Sequence, residues 1–410
     1  MNPAARSIYN KYRSAAFASL LLASFYLLQI KYSWPGLRIS GILGPIKYMD
    51  QDAVLKSATC FERIGNEVYR TDVFPKECGS YVYSVELLRF LNILRFPDLG
   101  GYILGTSFLW LTVIVLCSTF FLTRNLKKLD RAIGFAAFLS PGIWLLLERG
   151  NYDEAIFVLA FVASLFLATR YQEVGLVLLL LTTLMKFYTL PIFIVSIFFL
   201  KRKFSRFAFA LVSVLVTFYL LNLINQIKAF PSTWYISFGL DSLGLYANLF
   251  LQEVISNDLR LPRMLISGIG LVFLVFTYMY LYKCQHFAKL IFTVDTPKVS
   301  IQKLYLTMLG IFLSCFFAGM NYDYRLIYLA VLIALTPVIF APSGFKNIIT
   351  ISGCCALALS TFSFGFTGIP GLLVQLIGDA SLYVYASTQI FYLKTLLTSR
   401  LKGEQGASFN

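Results

Sequence analysis

The chain has 410 residues, of which 58% are hydrophobic, 17% aromatic and 13% charged, with a formal net charge of +15. Soluble domains carry roughly 25% charged residues, so this composition excludes an ordinary water-soluble globule and makes lipid the expected solvent. The positive charge does not point to nucleic acid, because the basic residues stand in short clusters between apolar runs, where cytoplasmic loops orient a polytopic protein.

About 20 apolar residues cross the hydrocarbon core as a helix. The chain is therefore expected to be one transmembrane domain over residues 1–410, an all-α integral membrane protein built as a polytopic helical bundle of about 11–13 membrane helices. The first apolar run, residues 15–30, follows Arg6, Lys11 and Arg13 and reads as a retained helix with a cytoplasmic N-terminus. Residues 31–100 form a long extracytoplasmic loop. Within it, residues 84–96 place Glu86, Arg89, Asn92 and Arg95 three apart among large apolar residues, the pattern of a helix lying in the interface plane. Cys60 and Cys78 share this loop, where an oxidising compartment would allow a disulfide.

Residues 102–123 make the second span, ended by Arg124, Lys127, Lys128 and Arg131. A third span, residues 132–147, runs into the sequence ERGNYDE, and a fourth, residues 155–169, returns to Arg170. The next 30 residues are apolar except near Lys186 and carry positive charge at both ends. They predict a broken hairpin of two short helices reversing near Lys186 and Pro191, inside the protein.

Residues 207–227 then lead out, residues 228–262 form a second outer loop, and residues 264–282 lead back in. Residues 304–320 lead out to the sequence NYDYR, residues 326–340 return, and two last spans cover residues 347–367 and 371–393. On this topology the cytoplasmic segments hold 20 Lys and Arg against 14 outside, and nine of those 14 lie in the long first loop. Long loops count least, so the short ones set the orientation. Cysteines within the apolar runs read as small buried hydrophobes, and the sole histidine, His286, lies in a basic loop. No metal is predicted.

Ionisable residues flanked by apolar sequence then gather at one face: Asp50 and Asp52 after the first span, Glu148, Arg149, Asp153 and Glu154 at one turn, Asp323 and Arg325 at another. Charges at membrane depth cost on the order of 2.5 to 3.5 kcal/mol when unpaired, so they are usually paired or functional. Carboxylates beside cations suit the transfer of a sugar from a polyprenyl phosphate. That reaction needs a base for the acceptor hydroxyl and cations for the charge developing on the leaving phosphate. Asp50 or Asp52 is the candidate base, and Arg149, Lys186 and Arg325 are the candidate phosphate ligands. Tyr188, Tyr322 and Tyr324 are candidates to stack on or hydrogen-bond a sugar, and Asp323 between the last two joins them as a candidate substrate contact.

Four segments carry a family resemblance: MDQDAVLKSATCFERIGNEVY from Met49, LERGNYDEAIF from Leu147, MKFYTLP from Met185 and NYDYRLIYL from Asn321. Their order resembles the GT-C fold of membrane glycosyltransferases, and most of all glycosyltransferase family 87, whose members use polyprenol-phosphate sugars. The resemblance implies a general-base role for Asp50, by its spacing to Gly65 and Tyr69, with Asp52 as a rival. Asn151, Lys186, Tyr188 and Arg325 match positions that the pattern keeps polar, while Thr189 stands where proline is commoner. The resemblance also implies inversion at the anomeric carbon, a polyprenyl-phosphate sugar donor of mannose type, a glycan or glycolipid acceptor, no nucleotide sugar and no metal. It implies further a multi-pass protein of a bacterial plasma membrane with its active site outside the cytoplasm.

The rival from another class is a transporter or flippase of a lipid-linked glycan. Transporters usually place their site near the midplane between inverted repeats; here one broken hairpin occurs without an evident second copy. A lipid-linked polysaccharide polymerase is a third reading.

Overall fold

The computed structural model describes residues 16–17, 19–24, 49–65, 84–140, 142–143, 146–147, 150–198, 200–226, 237–240, 242–254, 263–283, 299–317, 321–340, 344–362 and 368–401. Long apolar runs without period-two alternation close their hydrogen bonds locally, and the described chain is helical almost throughout. In order it contains α1 (Met49–Ile64), α2 (Val85–Ile93), α3 (Phe96–Leu122), α4 (Lys128–Phe138), α5 (Asp153–Leu167) and α6 (Gln172–Met185). After a short turn come α7 (Leu190–Ile197), α8 (Lys203–Gln226), α9 (Ser242–Val254), α10 (Arg263–Lys283), α11 (Val299–Phe317), α12 (Ile327–Ile339), α13 (Gly344–Phe362) and α14 (Gly368–Leu401). Two two-residue strands, β1 (Ser237–Phe238) and β2 (Asn321–Tyr322), pair antiparallel with Ser237 opposite Tyr322.

Among the described residues four helices are long and apolar enough to cross a membrane: Phe96–Leu122, Lys203–Leu223, Val299–Phe317 and Ile369–Thr398. Five shorter apolar helices accompany them, among them Gln172–Met185 and Phe187–Ile197, the two arms of the hairpin. The expected hairpin is therefore present, with α6 and α7 separated by Lys186 in extended backbone (φ −148°, ψ 129°) and a 3₁₀ turn over Phe187–Thr189.

The core centres on α12. Every residue from Ile327 to Leu335 is at most 2% exposed, as expected of a helix that is apolar all round and must be surrounded by protein. It packs between α4, α11 and α13, while α11 also packs on α5. At the periphery the pattern inverts. On α8, Phe204, Phe207, Leu215 and Phe218 are exposed, and on α10, Val272, Phe276 and Tyr280 are exposed. Apolar side chains turned outward on this scale mark surfaces that meet something other than water.

Two local features depart from the reading of the sequence. The segment over residues 228–262, expected as a loop, contains a helix of its own, α9, and the residues leading into it are stitched to α11 by a hydrogen bond from Leu240 N to Phe316 O of 2.8 Å. The second span starts earlier than residue 102, because α3 continues across a kink at Gly100 (φ 73°) back to Phe96. Gly101 follows, and a Cβ there would lie 1.9 Å from Asp52 Oδ1, so a larger residue would displace the Asp52 carboxyl where α1 rests on α3. The helix expected over residues 84–96 is present as α2, capped by Ser84, which accepts from Leu87 N at 3.3 Å and donates to the Leu184 carbonyl of α6.

Candidate functional site

The sequence ERGNYDE turns at Gly150 and enters α5 at Asp153. Asn151 builds the turn: its backbone carbonyl accepts from Glu154 N at 2.9 Å and its side-chain oxygen from Asp153 N at 3.0 Å. An asparagine in this position satisfies donors that the first helical turn cannot. So held, its amide nitrogen donates to Asp50 Oδ2 on α1 at 2.7 Å, and its oxygen also accepts from Lys186 Nζ at 3.2 Å.

Asp153 is the hub. It is fully buried, and its Oδ2 lies 2.7 Å from Lys186 Nζ and 3.3 Å from Arg325 Nε. Its Oδ1 accepts from the Tyr188 hydroxyl. The Arg325 guanidinium lies over the Tyr188 ring, 4.9 Å from its centroid, so the tyrosine binds the carboxylate through its hydroxyl and the cation through its face. Tyr188 is braced by Tyr328 of α12, 3.4 Å away between hydroxyls. One carboxylate thus holds two cations in a protein-walled space, where opposite charges attract strongly and removal of either partner leaves an uncompensated charge.

The breaks in the hairpin are what bring these groups together. Lys186 leaves α6 in extended backbone, which frees its side chain from the helix and turns it to α5. Pro191 opens α7 in its first turn, where a missing N–H costs nothing. Arg325 arrives from a 3₁₀ turn directly after β2, whose pairing with β1 ties the second outer loop to this corner of the molecule.

Tyr188 has a second neighbour. It lines one end of a cavity of about 610 Å³ between α7, α8, α11 and the C-terminal half of α14. The wall contributed by α11 runs from Lys303 through Leu306, Gly310 and Leu313 to Phe317, which at 1.5 Å per residue is about 21 Å. Ile192 of α7 and Leu220 of α8 also line it, so the lining is largely apolar, with Lys303 at one end of the α11 wall and Tyr188 linking the cavity to the charged cluster.

Of the residues singled out from the sequence, Asp50, Asn151, Lys186, Tyr188 and Arg325 meet in this cluster. Asp52 does not: two residues further on, it packs against the backbone of Gly101. Arg149 lies outside the described residues, and of Tyr322, Asp323 and Tyr324 only the backbone is described. Cys60 is disulfide-bonded, while Cys78 lies outside the described residues. Among the described residues no three His, Cys, Asp or Glu side chains gather so as to hold a metal ion.

The sequence reading missed the central role of Asp153, which it grouped with its neighbours at one turn. It also separated Glu154 too little from Asp153. Glu154 is fully buried on the opposite side, where its Oε2 accepts from Thr112 of α3 at 3.3 Å. Asp379, eleven residues into α14, was overlooked altogether; it is fully buried, and among the described residues no donor completes a hydrogen bond to either carboxyl oxygen. The available signal was a lone acid in a long apolar run. Compared with known proteins, the chain matches no family model, no curated protein and no solved structure.

Proposed function

We propose that the chain is a polytopic membrane glycosyltransferase of GT-C type, with about 11–13 membrane helices, that moves a mannose-like hexose from a polyprenyl-phosphate sugar to a glycan or glycolipid acceptor. The observation that supports it best is the junction at Tyr188. An apolar groove deep enough for a prenyl chain ends beside two cations fixed by one buried carboxylate, and a second carboxylate, Asp50, faces the same cluster through Asn151.

In this reading Asp50 takes the proton of the acceptor hydroxyl as its oxygen attacks the anomeric carbon. The bond from that carbon to the phosphate oxygen breaks, and the phosphate leaves with the electron pair, so the sugar inverts. Lys186 and Arg325 receive the charge that develops on the phosphate, and Asp153 holds both at fixed positions before the donor arrives, which removes the cost of reorganising them. The site faces out of the cytoplasm of a bacterial plasma membrane.

A second reading, a transporter or flippase of a lipid-linked glycan, draws support from Asp379, because intramembrane carboxyls mark ion pathways in transporters. One experiment separates the two. Purified protein is incubated with a panel of polyprenyl-phosphate sugars and acceptor glycolipids, and free polyprenyl phosphate is measured. Release from one donor is the expected result. No release from any donor, together with movement of a lipid-linked glycan across proteoliposomes, would replace the first reading with the second.

A further inference from the structure

A second polar centre lies apart from the Asp153 cluster. Gln375, Asp379 and Tyr383 follow one another at four-residue spacing on α14, so they share one side of the helix, and they are 1%, 0% and 0% exposed. α14 packs on α9, α10 and α13. The Tyr383 hydroxyl donates to the Gly239 carbonyl at 3.1 Å and also reaches the Leu240 carbonyl. Gly270 of α10 approaches so closely that a Cβ there would lie 2.1 Å from Leu240 O. Irregular backbone is thereby held against α14 just before α9 begins at Ser242, itself fully buried, whose hydroxyl donates to Gly239 O at 2.7 Å.

Asp379 stands out in this setting. Ser242 and Gln375 lie within reach of its carboxyl, but among the described residues no donor meets hydrogen-bond geometry at either oxygen, and the single proton of Ser242 is given to Gly239. The titratable or charged groups on the helices packed around it are Tyr246 and Glu253 on α9, Arg263, Tyr278, Tyr280, Tyr282 and Lys283 on α10, and Lys346, Cys354 and Cys355 on α13. α14 itself adds Tyr383, Tyr385, Tyr392, Lys394 and Arg400, and of Arg263 and Arg400 only the backbone is described. Lys346 is paired with Asp130, and Lys394 lies over Tyr278 and Tyr282. Among the described residues none of these cations pairs with Asp379. A bare carboxylate in such a place is strongly disfavoured, and among the described side chains none supplies the compensating charge.

We infer that Asp379 is a monovalent-cation site: the carboxyl holds a proton or a sodium ion, with Ser242, Gln375 and the Gly239 and Leu240 carbonyls supplying the surrounding oxygens. Both ions provide the same thing, one positive charge at the carboxyl. A proton makes the group a neutral donor, whereas sodium takes hard oxygens of the kind that unwound backbone offers in membrane proteins. The site stands whether the chain transfers a sugar or moves a lipid.

Dicyclohexylcarbodiimide, which modifies protonated carboxyls in apolar surroundings, tests this on the purified full-length protein in detergent. The adduct on the α14 peptide is followed by mass spectrometry, in choline chloride and in sodium chloride, as pH is raised. A proton site gives an adduct on Asp379 that falls at least about tenfold with rising pH and ignores sodium. A sodium site gives at least about tenfold protection by sodium chloride relative to choline chloride at one pH. Absence of an Asp379 adduct under every condition, or an adduct indifferent to both pH and sodium, overturns the inference. The variant Asp379→Asn, which keeps the shape without the charge, must lose the adduct and any sodium-dependent rise in unfolding temperature. An equal sodium dependence in both chains would place the ion elsewhere and overturn it too.

Discussion

Asp153 and Asp379 are both fully buried carboxyls on helices, and their surroundings are opposite. Asp153 opens α5 and is met by a lysine, an arginine and a tyrosine hydroxyl, supplied by the hairpin and by the turn after β2. Asp379 lies well inside α14, and no described side chain completes a hydrogen bond to it. Burial is thus the same and compensation is not. The first arrangement is a rigid, pre-paired clamp of the kind that receives charge on a ligand. The second is an incomplete one that an ion has to finish. The two lie on either side of β1 and β2, since Gly239 and Leu240 bond Tyr383 while Tyr322 leads directly to Arg325.

The same isosteric change in the two places should break this comparison open. Asp153→Asn removes the carboxylate that pairs with both Lys186 and Arg325, and removal of one partner from a buried pair costs about 3 to 5 kcal/mol. A large drop in unfolding temperature of the detergent-solubilised protein is expected, and an unchanged melt would show that the cluster is not holding the outer ends of α5 to α7 together. Lys186→Met comes next. Lys186 is paired with a fully buried carboxylate, so about 1.5 to 3 kcal/mol of stability should be lost together with donor use.

Smaller effects sharpen the contrast. Arg325→Lys keeps the charge on Asp153 but gives up the planar group stacked on Tyr188, worth about 0.5 to 2 kcal/mol by cation–π estimates. Turnover should fall while the melt moves only slightly, and equal losses in both would make Arg325 a structural residue. Asp379→Asn sits at the small end. With no hydrogen bond or ion pair to break, it should shift stability in choline chloride by no more than about 0.5 kcal/mol, in opposition to the same substitution at Asp153.

Much of the fold was legible in the sequence because lipid-facing and core helices share one signature, a long apolar run. The hairpin was legible for a more specific reason: Lys186 and Pro191 interrupt a run that has positive charge at both ends, and neither suits a continuous buried helix. The helix α9 was not, because it is short and lies in a stretch bounded by polar residues; its apolar positions Leu243, Tyr246 and Phe250 recur at helical spacing and could have been read. The members of the charged cluster were found, since each sits in a polar interruption of apolar sequence. Their pairing was not, because Asp153 meets partners 33 and 172 residues away, and no local pattern encodes such a contact. Asp50 and Asp52 could not be separated by spacing. Packing separates them, with Asp50 on Asn151 and Asp52 on Gly101.

That separation leads to the most direct test of the central claim, that this chain transfers a sugar with Asp50 as the base. Polyprenyl phosphate release is measured for the native chain, Asp50→Asn and Asp52→Asn, on the donor that the native chain uses, at matched expression and matched melting temperature. Asp50→Asn should lose at least about a hundredfold in turnover while still binding donor, since a positioned base typically contributes about 10² to 10⁴ in rate. Asp52→Asn should lose far less. Full activity in both variants would contradict the proposed mechanism and with it the assignment of a glycosyltransferase.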